Sequence, residues 1–494
     1  MKMKFYISIA IIMCCVISVS AQEKEETVLS LDQVIELAQK QSLDAFIQEN
    51  MYLSSWWEYK AFKAQQRPWL ELNSNPLSYK NSIEAITDNT GSYLKRSEKL
   101  QSDGRLSLTQ NIMTTGGDIY INSRLSRLED YANNEIGYGY TPFSVGISQP
   151  LFQFNTFKWQ KKIEPLKFEI AKKEYIKSAE DIAMKAITVF FNFLDAQMSY
   201  KIAELNKQSA DTLYFKSMGL FERGAIASMD LKRLELNKLN TENEFERSKL
   251  QLERYKFDLK SYLRISENMD LRLLVPDSVP DLNINPDAAL AKATENNPDV
   301  LDFKRRLIEA NREIARAKGT NGIQSNLNVN FGWSKSGQNL NEVNHDFDSD
   351  RGVELSLYIP IVDWGMSRGR REIAESNKKV TAARVEIEQI NFEHDVLMSA
   401  MEFNMQEALL VNARKANAIS EKTYKTVEER FLSGKVNLET LYAARNERDN
   451  ALRSVYNRIR QYWSYYYYMR SITLFDFQQK QSLSNDFDNR FGLQ

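Results

Sequence analysis

Phe431-Leu432-Ser433-Gly434-Lys435-Val436-Asn437-Leu438-Glu439-Thr440-Leu441 holds the one glycine between Gly369 and Gly492, in a stretch with no proline after Pro360. On both sides the chain is mostly Ala, Glu, Lys, Arg, Ile, Leu and Met, good helix formers with nothing that forces a stop. The segment therefore reads as two long helices meeting at one turn. From Met366 to Phe431 the first of them runs some 65 residues, a rod of roughly 100 Å at about 1.5 Å per residue. No globular domain needs a helix of that length.

The same design stands 210 residues earlier. Pro150, Phe221, Gly224, Ile226 and Leu231 occupy the places of Pro360, Phe431, Gly434, Val436 and Leu441. A register held over about 80 residues indicates a tandem duplication. The expected layout is a leader at 1–21, a first repeat at 22–275, a second at 276–475 and a polar tail at 476–494. Each half opens with a helix, from Asp32 to about Gln66 and from Asp287 to about Lys318. Each closes with a helix after its glycine turn. The two shorter helices of a half together match its long one, which suggests an antiparallel bundle.

Residues 1–21 combine Lys2 and Lys4, an apolar run from Phe5 to Val19 and the small exit Val19-Ser20-Ala21, the pattern of a secretory signal peptide. The run is too short for a membrane span, and Ile12-Met13 before Cys14 lacks the small residues of a lipid-attachment box. Cys14 and Cys15 are the only cysteines, so the exported chain would have no disulfide and no thiolate ligand. Net charge is -1, with both signs interspersed over the 27% charged residues. That balance points to neither nucleic acid nor an acidic membrane surface as partner. No later segment has 18 consecutive apolar residues, so a membrane role would require strands that close a barrel.

Strand signals are present. Leu327 to Trp333 and Val353 to Ile359 place an apolar residue at every second position, with a polar loop from Ser334 to Arg351 between them. Trp69 to Leu72 and Phe143 to Ile147 hold the matching places in the first half. An outer-membrane strand alternates in this way because one face meets lipid and the other a polar lumen; the strands alone fit a soluble sandwich edge equally well. The first half spends 118 residues between Asp32 and Pro150 against 73 between Asp287 and Pro360. The surplus includes an additional hairpin, Arg105 to Gln110 and Asp118 to Asn122 about a Gly116-Gly117 turn. Four strands, two per half, are too few for a barrel, whose smallest form needs about eight. Several copies must share one, and three would give about twelve strands.

In the last helix Leu452, Val455, Ile459, Tyr462, Tyr466 and Met469 fall at spacings of three and four, a coiled-coil seam whose plain role is core packing. Trp463 and Tyr465 to Tyr468 read as packing against a neighbouring helix pair.

With these parts in order, the chain resembles the TolC-like outer-membrane efflux proteins over nearly its whole exported length. The residues that carry the likeness are the helix openers Leu29 to Ala38 and Ala289 to Val300, the strand-to-helix corners Ser148-Gln149-Pro150-Leu151-Phe152 and Ile359-Pro360-Ile361-Val362-Asp363-Trp364-Gly365, and the turns Phe221 to Leu231 and Phe431 to Leu441. The resemblance implies a mostly α fold with a small β part: duplicated helical hairpins forming a trimeric α-barrel, joined to a β-barrel shared in the outer membrane. It implies a homotrimer in outer-membrane lipid with a periplasmic helical extension, docked by its tips on a periplasmic adaptor and through it on an inner-membrane pump. It also implies an acidic ring past the second turn. Glu439 matches one acidic position of that ring, and Tyr442 stands where a second acid would be. Glu439 also has the simple reading of a helix-start carboxylate favoured by the dipole.

Catalytic constellations are not apparent. His345 and His394 lie about 50 residues apart with no cysteine partner. After His345, Asp346, Asp348 and Asp350 have the spacing that opens a calcium loop, but Arg351 and Leu357 occupy the places of its glycine and closing glutamate. No cofactor or metal is expected. The functional expectation is a passive exit duct of a tripartite efflux or type I export system. The alternative is a periplasmic coiled-coil adaptor or scaffold, which would have no lipid-facing strands.

Overall fold

The structure is a computed structural model that describes residues 26–484 except 89–90, 225, 267–268, 277 and 434. The expected signal peptide, the end of the polar tail and Gly434 lie outside the described residues. The chain is mostly helical with a strand part, and it divides into two compact units, each drawn from both halves of the sequence.

The first unit takes residues 1–51, 173–297 and 392–494. Strand β1 (Glu26–Leu29) leads into helix α1 (Leu31–Gln41) through a capping box, in which Ser30 Oγ accepts from the Gln33 amide and Gln33 accepts from the Ser30 amide. Ser42 then interrupts the helix with an extended backbone, and α2 (Leu43–Ala64) begins. One continuous helix from Asp32 to Gln66 was the expectation; the chain breaks because the Ser42 hydroxyl accepts from the Ala45 amide and so caps a new start. The second half repeats the break. After α3 (Thr156–Glu222), α4 (Ser228–Leu263) and β6 (Asp270–Leu273) come α5 (Pro286–Asn296) and α6 (Pro298–Asn321), separated by extended Asn297. Proline following Asn297 disfavours a helical conformation there and is itself at home in a first turn.

The long hairpins match to the residue. Helices α3 and α7 (Met366–Leu432) are each 67 residues, α4 and α8 (Leu438–Thr473) each 36, and both ends of each pair are 210 residues apart. From Ile182 to Leu194, α3 is buried nearly all round. Phe190, Phe191 and Phe193 pack in one core with Phe403 of α7 and with Ile459, Tyr462, Tyr466 and Met469 of α8. The seam and the Tyr466–Tyr467 patch are thus core, as their spacing indicated. β1 pairs in parallel with β6 at the edge of this core. Arg470 closes it: Nε and Nη2 donate to the two Glu180 oxygens at 2.8 and 2.9 Å, and Nη1 donates to Asp476. Burial pushes the Glu180 carboxyl up, an effect that Arg470 opposes.

The second unit, residues 52–172 and 298–391, is built on one antiparallel sheet. Its order is β2 (Trp69–Asp88), β3 (Gly91–Ile112), β4 (Gly117–Asp130), β5 (Glu135–Leu151), β7 (Gln324–Gly337) and β8 (Asp348–Tyr358). Four main strands and an additional hairpin, its place left open, were expected; the sheet has six strands, with the hairpin among them. The strands also run longer than their alternating cores. β2 and β3 continue beyond Asn75 as a ribbon whose residues are mostly exposed, so neither face needs apolar side chains and the period of two disappears. Beside the sheet, Tyr59 stacks on Phe168 with centroids 4.7 Å apart, and Arg306 pairs with Glu388.

Candidate functional site

The register of the sheet decides what its two faces are. In one row across all six strands stand Leu70, Leu108, Ile121, Val145, Phe331 and Arg351, and in the next Gln110, Ile119, Ile147, Val329 and Val353. The interleaved rows of the other face are Glu71, Ser107, Asn122, Ser144, Gly332 and Asp350, then Trp69, Thr109, Tyr120, Gly146, Asn330 and Gly352. One face is mostly apolar and uncovered, with Arg351 and Gln110 as its polar members; the other is mostly polar or small, with Trp69 and Tyr120 as its aromatic members. The apolar side chains are 37–42% exposed on the inner strands and reach 64% at Leu70 and 75% at Val353 on the edges. An uncovered apolar surface this broad is unusual for a chain surrounded only by water.

At the strand-to-helix corners, Pro150 is the penultimate residue of β5 and Pro360 follows β8. Asp363 then starts α7, its carboxylate accepting from the Gly365 and Ser367 amides. The Ser367 hydroxyl and these amides hold its carboxyl below the usual range. Trp364 and Ile361 beside it are almost fully exposed. At the matching corner Asn155 Oδ1 accepts from the Lys158 amide, while its amide nitrogen donates to the Met113 and Thr114 carbonyls of the β3–β4 turn.

At the first tip, Gly224 takes a left-handed φ of 70°, which a glycine adopts without strain, and its amide donates to Phe221 O. Phe221 is exposed, and Ile226 and Leu231 are half-buried. At the second, the Lys435 amide donates to Arg430 O, a helix-terminating bond across six residues. Asn437 Oδ1 caps α8 through the Thr440 amide. Val436 and Phe431 are half-buried, whereas Leu441 is buried with Leu438, Ala444, Leu213, Leu234 and Tyr424.

The two candidate gate residues differ. The Glu439 side chain is exposed and lies 3.4 Å from Arg233 Nη1 of α4. Tyr442 has a buried hydroxyl with no hydrogen-bond partner, and burial pushes its phenol up. The guanidinium of Arg445 lies 5.1 Å from its ring and donates to Asn237. Arg448 to Asn206, Arg453 to Ser199 and Arg460 to Asn192 continue a polar ladder along α8. Sequence reasoning missed Arg233. The signal was the repeat itself, since equivalent helices that pack together pair residues close to 210 apart, and Arg233 is 206 before Glu439. No grouping of three or more His, Cys, Asp or Glu suited to a metal occurs among the described residues. Nor is any described helix long and apolar enough to cross a membrane, which says nothing about strands.

Residues 289–462 match the family model described as outer membrane efflux protein. This stretch is similar to that family. No curated protein sequence matches the chain. Among solved structures, the fold is similar to the CmeC outer membrane channel of Campylobacter jejuni, at 15% identity and TM-score 0.66, covering 93% of this chain and 88% of that one. It is also similar to the outer membrane protein VceC of Vibrio cholerae, at 11% identity and TM-score 0.62 over 90% and 95% of the two chains. The open state of the Neisseria gonorrhoeae MtrE outer membrane channel gives 12% identity and TM-score 0.58 over 90% and 88%. At such identities the likeness is one of fold, and it covers nearly the whole chain.

Proposed function

We propose that the protein is the outer-membrane exit duct of a tripartite efflux or type I export system, a passive conduit without enzymatic activity. The observation that carries this reading is the largely apolar face to which all six strands contribute, set opposite a largely polar one. Lipid covers the one and an aqueous lumen the other. A homotrimer would close the sheets into a shared barrel and the hairpins into a tunnel across the periplasm. The tips, Phe221 to Leu231 and Phe431 to Leu441, would dock on a periplasmic adaptor coupled to an inner-membrane pump, and Glu439 would narrow the entrance. A periplasmic adaptor would leave Leu70, Val353 and Leu355 in water, which disfavours that alternative.

Extraction tests the reading. The protein should leave outer membranes only with detergent and run in solution with the mass of three chains; a water-soluble periplasmic monomer or dimer would sink it. For the gate, wild type and Glu439→Ala are compared in planar bilayers. The variant should conduct more and respond less to divalent cations, and unchanged traces would remove Glu439 from the gate.

A further inference from the structure

The sheet has two free edges, β2 and β8, and an even number of strands. Every neighbour pair is antiparallel, so β2 and β8 point in opposite directions. A second copy can therefore set its β2 beside β8 of the first and continue the antiparallel alternation with no mismatch. We infer that β8 of each chain pairs with β2 of the next and that three chains close an eighteen-stranded barrel, to which every chain gives six strands. The inference rests on the trimeric reading above.

Three observations support this occupant. Apart from Arg351, the apolar face continues to both edges: Leu70 and Leu72 on β2, and Val353, Leu355 and Leu357 on β8, lie on it and are more exposed than its members on the inner strands of the six-stranded part. Their excess exposure over inner residues such as Val145 is what a missing neighbour strand produces. The edges are also unguarded where the band lies, since Trp69 to Leu72 and Val353 to Tyr358 contain no proline and no lysine. The guard comes beyond it. Pro76 sits at the register shift between Asn75 and Ser78, and the outer part of β2 pairs with β3 alone. Proline at that point interrupts the run of free donors and sets Trp69 to Asn75 apart for a partner. Finally, the pairing of β3 with β4 runs from Lys99–Asp130 to Ile112–Gly117 without a register shift. The first hairpin therefore cannot stay outside a barrel unless that ladder is torn. A barrel of this count is roughly 1.5 times as wide as one of twelve strands, because diameter grows about linearly with strand number.

With no cysteine after Cys15, paired cysteines can read the seam. Leu70→Cys or Leu72→Cys is combined with Val353→Cys, Leu355→Cys or Leu357→Cys, six double variants in all, and oxidised in membranes. Leu108→Cys with Ile121→Cys serves as the within-chain control, because these residues face each other on β3 and β4. At least one seam pair should give covalent species up to three chains and no larger, while single variants stay at one chain. If the control oxidises in an extracted trimer and no seam pair does, the seam is wrong and the duct reading survives. A ladder that ends at two chains would mean a twelve-stranded barrel and overturn the count. A water-soluble monomer would overturn the inference together with the duct reading.

Discussion

The two tip turns are joined to helices of the same lengths, yet α8 begins as a buried element and α4 as an exposed one. Leu438 and Leu441 of α8 are 5% and 1% exposed. Their counterparts in α4 are Ser228 and Leu231, and Met229 beside them is 67% exposed. The start of α8 is capped by Asn437, whereas Ala227 before α4 makes no side-chain cap bond. Duplication has preserved the backbone while the packing duties have separated. The second turn anchors the tip cluster, and the first leaves Phe221 and Met229 exposed. At the far ends the copies differ again: Arg470 stands where the first has Lys260.

The largest effect that would sharpen this contrast belongs to Arg470. Arg470→Met leaves Glu180 and Asp476 buried without their cation and should cost about 3–5 kcal/mol, read as a lowered unfolding midpoint in detergent. Arg470→Lys, which makes the two copies alike, keeps the charge but loses the two-pronged contact and should fall between. The loss in Arg470→Met should shrink toward pH ~4. A buried carboxyl whose folded pKa is raised costs most when ionised, so stability returns as pH falls through that pKa. A pH-independent loss would mean that the Glu180 carboxylate does not carry it.

At the tips, Leu441→Ala should cost about 2–4 kcal/mol, since it empties a buried site. Leu231→Ala, at a half-buried one, should cost under about 1.5 kcal/mol. Equal losses would break the comparison. Smaller still, Asn437→Ala should cost about 1 kcal/mol and Ala227→Asn should recover up to about as much at the other turn. The smallest effect is expected at Glu439, whose ion pair with Arg233 is largely exposed; Glu439→Ala should move the midpoint by no more than about 0.5 kcal/mol. A change in conductance would then report the gate and not the fold.

Much of this architecture is legible because long helices advertise themselves. Gly434, Gly224 and the scarcity of proline mark the hairpins, although α3 starts before Pro165 and carries it inside, and the two-residue period of Val353 to Ile359 survives wherever one face is apolar. The helix breaks were less visible. Asn297-Pro298 carries a readable signal, but Ser42 differs from any helical serine only through its contact with the Ala45 amide. The outer ribbon of β2 and β3 was invisible for a simple reason: Ser78 to Ala85 is largely exposed, so no pattern marks it as strand. Of the candidate site, the turn positions could be read by repetition. The Arg233 partner of Glu439 and the unpartnered hydroxyl of Tyr442 depend on which helices touch, which no single stretch encodes.

The matched 67-residue helices also bear on how such a protein can change over generations. Because Leu213 and Leu234 of one copy share a cluster with Leu438 and Leu441 of the other, an insertion or deletion in α3 alone would lift one turn off its partner and misalign every rung of the ladder beside it. Length in this chain is a coupled trait: residues can be lost or gained only in lockstep, in both copies and in multiples that restore the helical face.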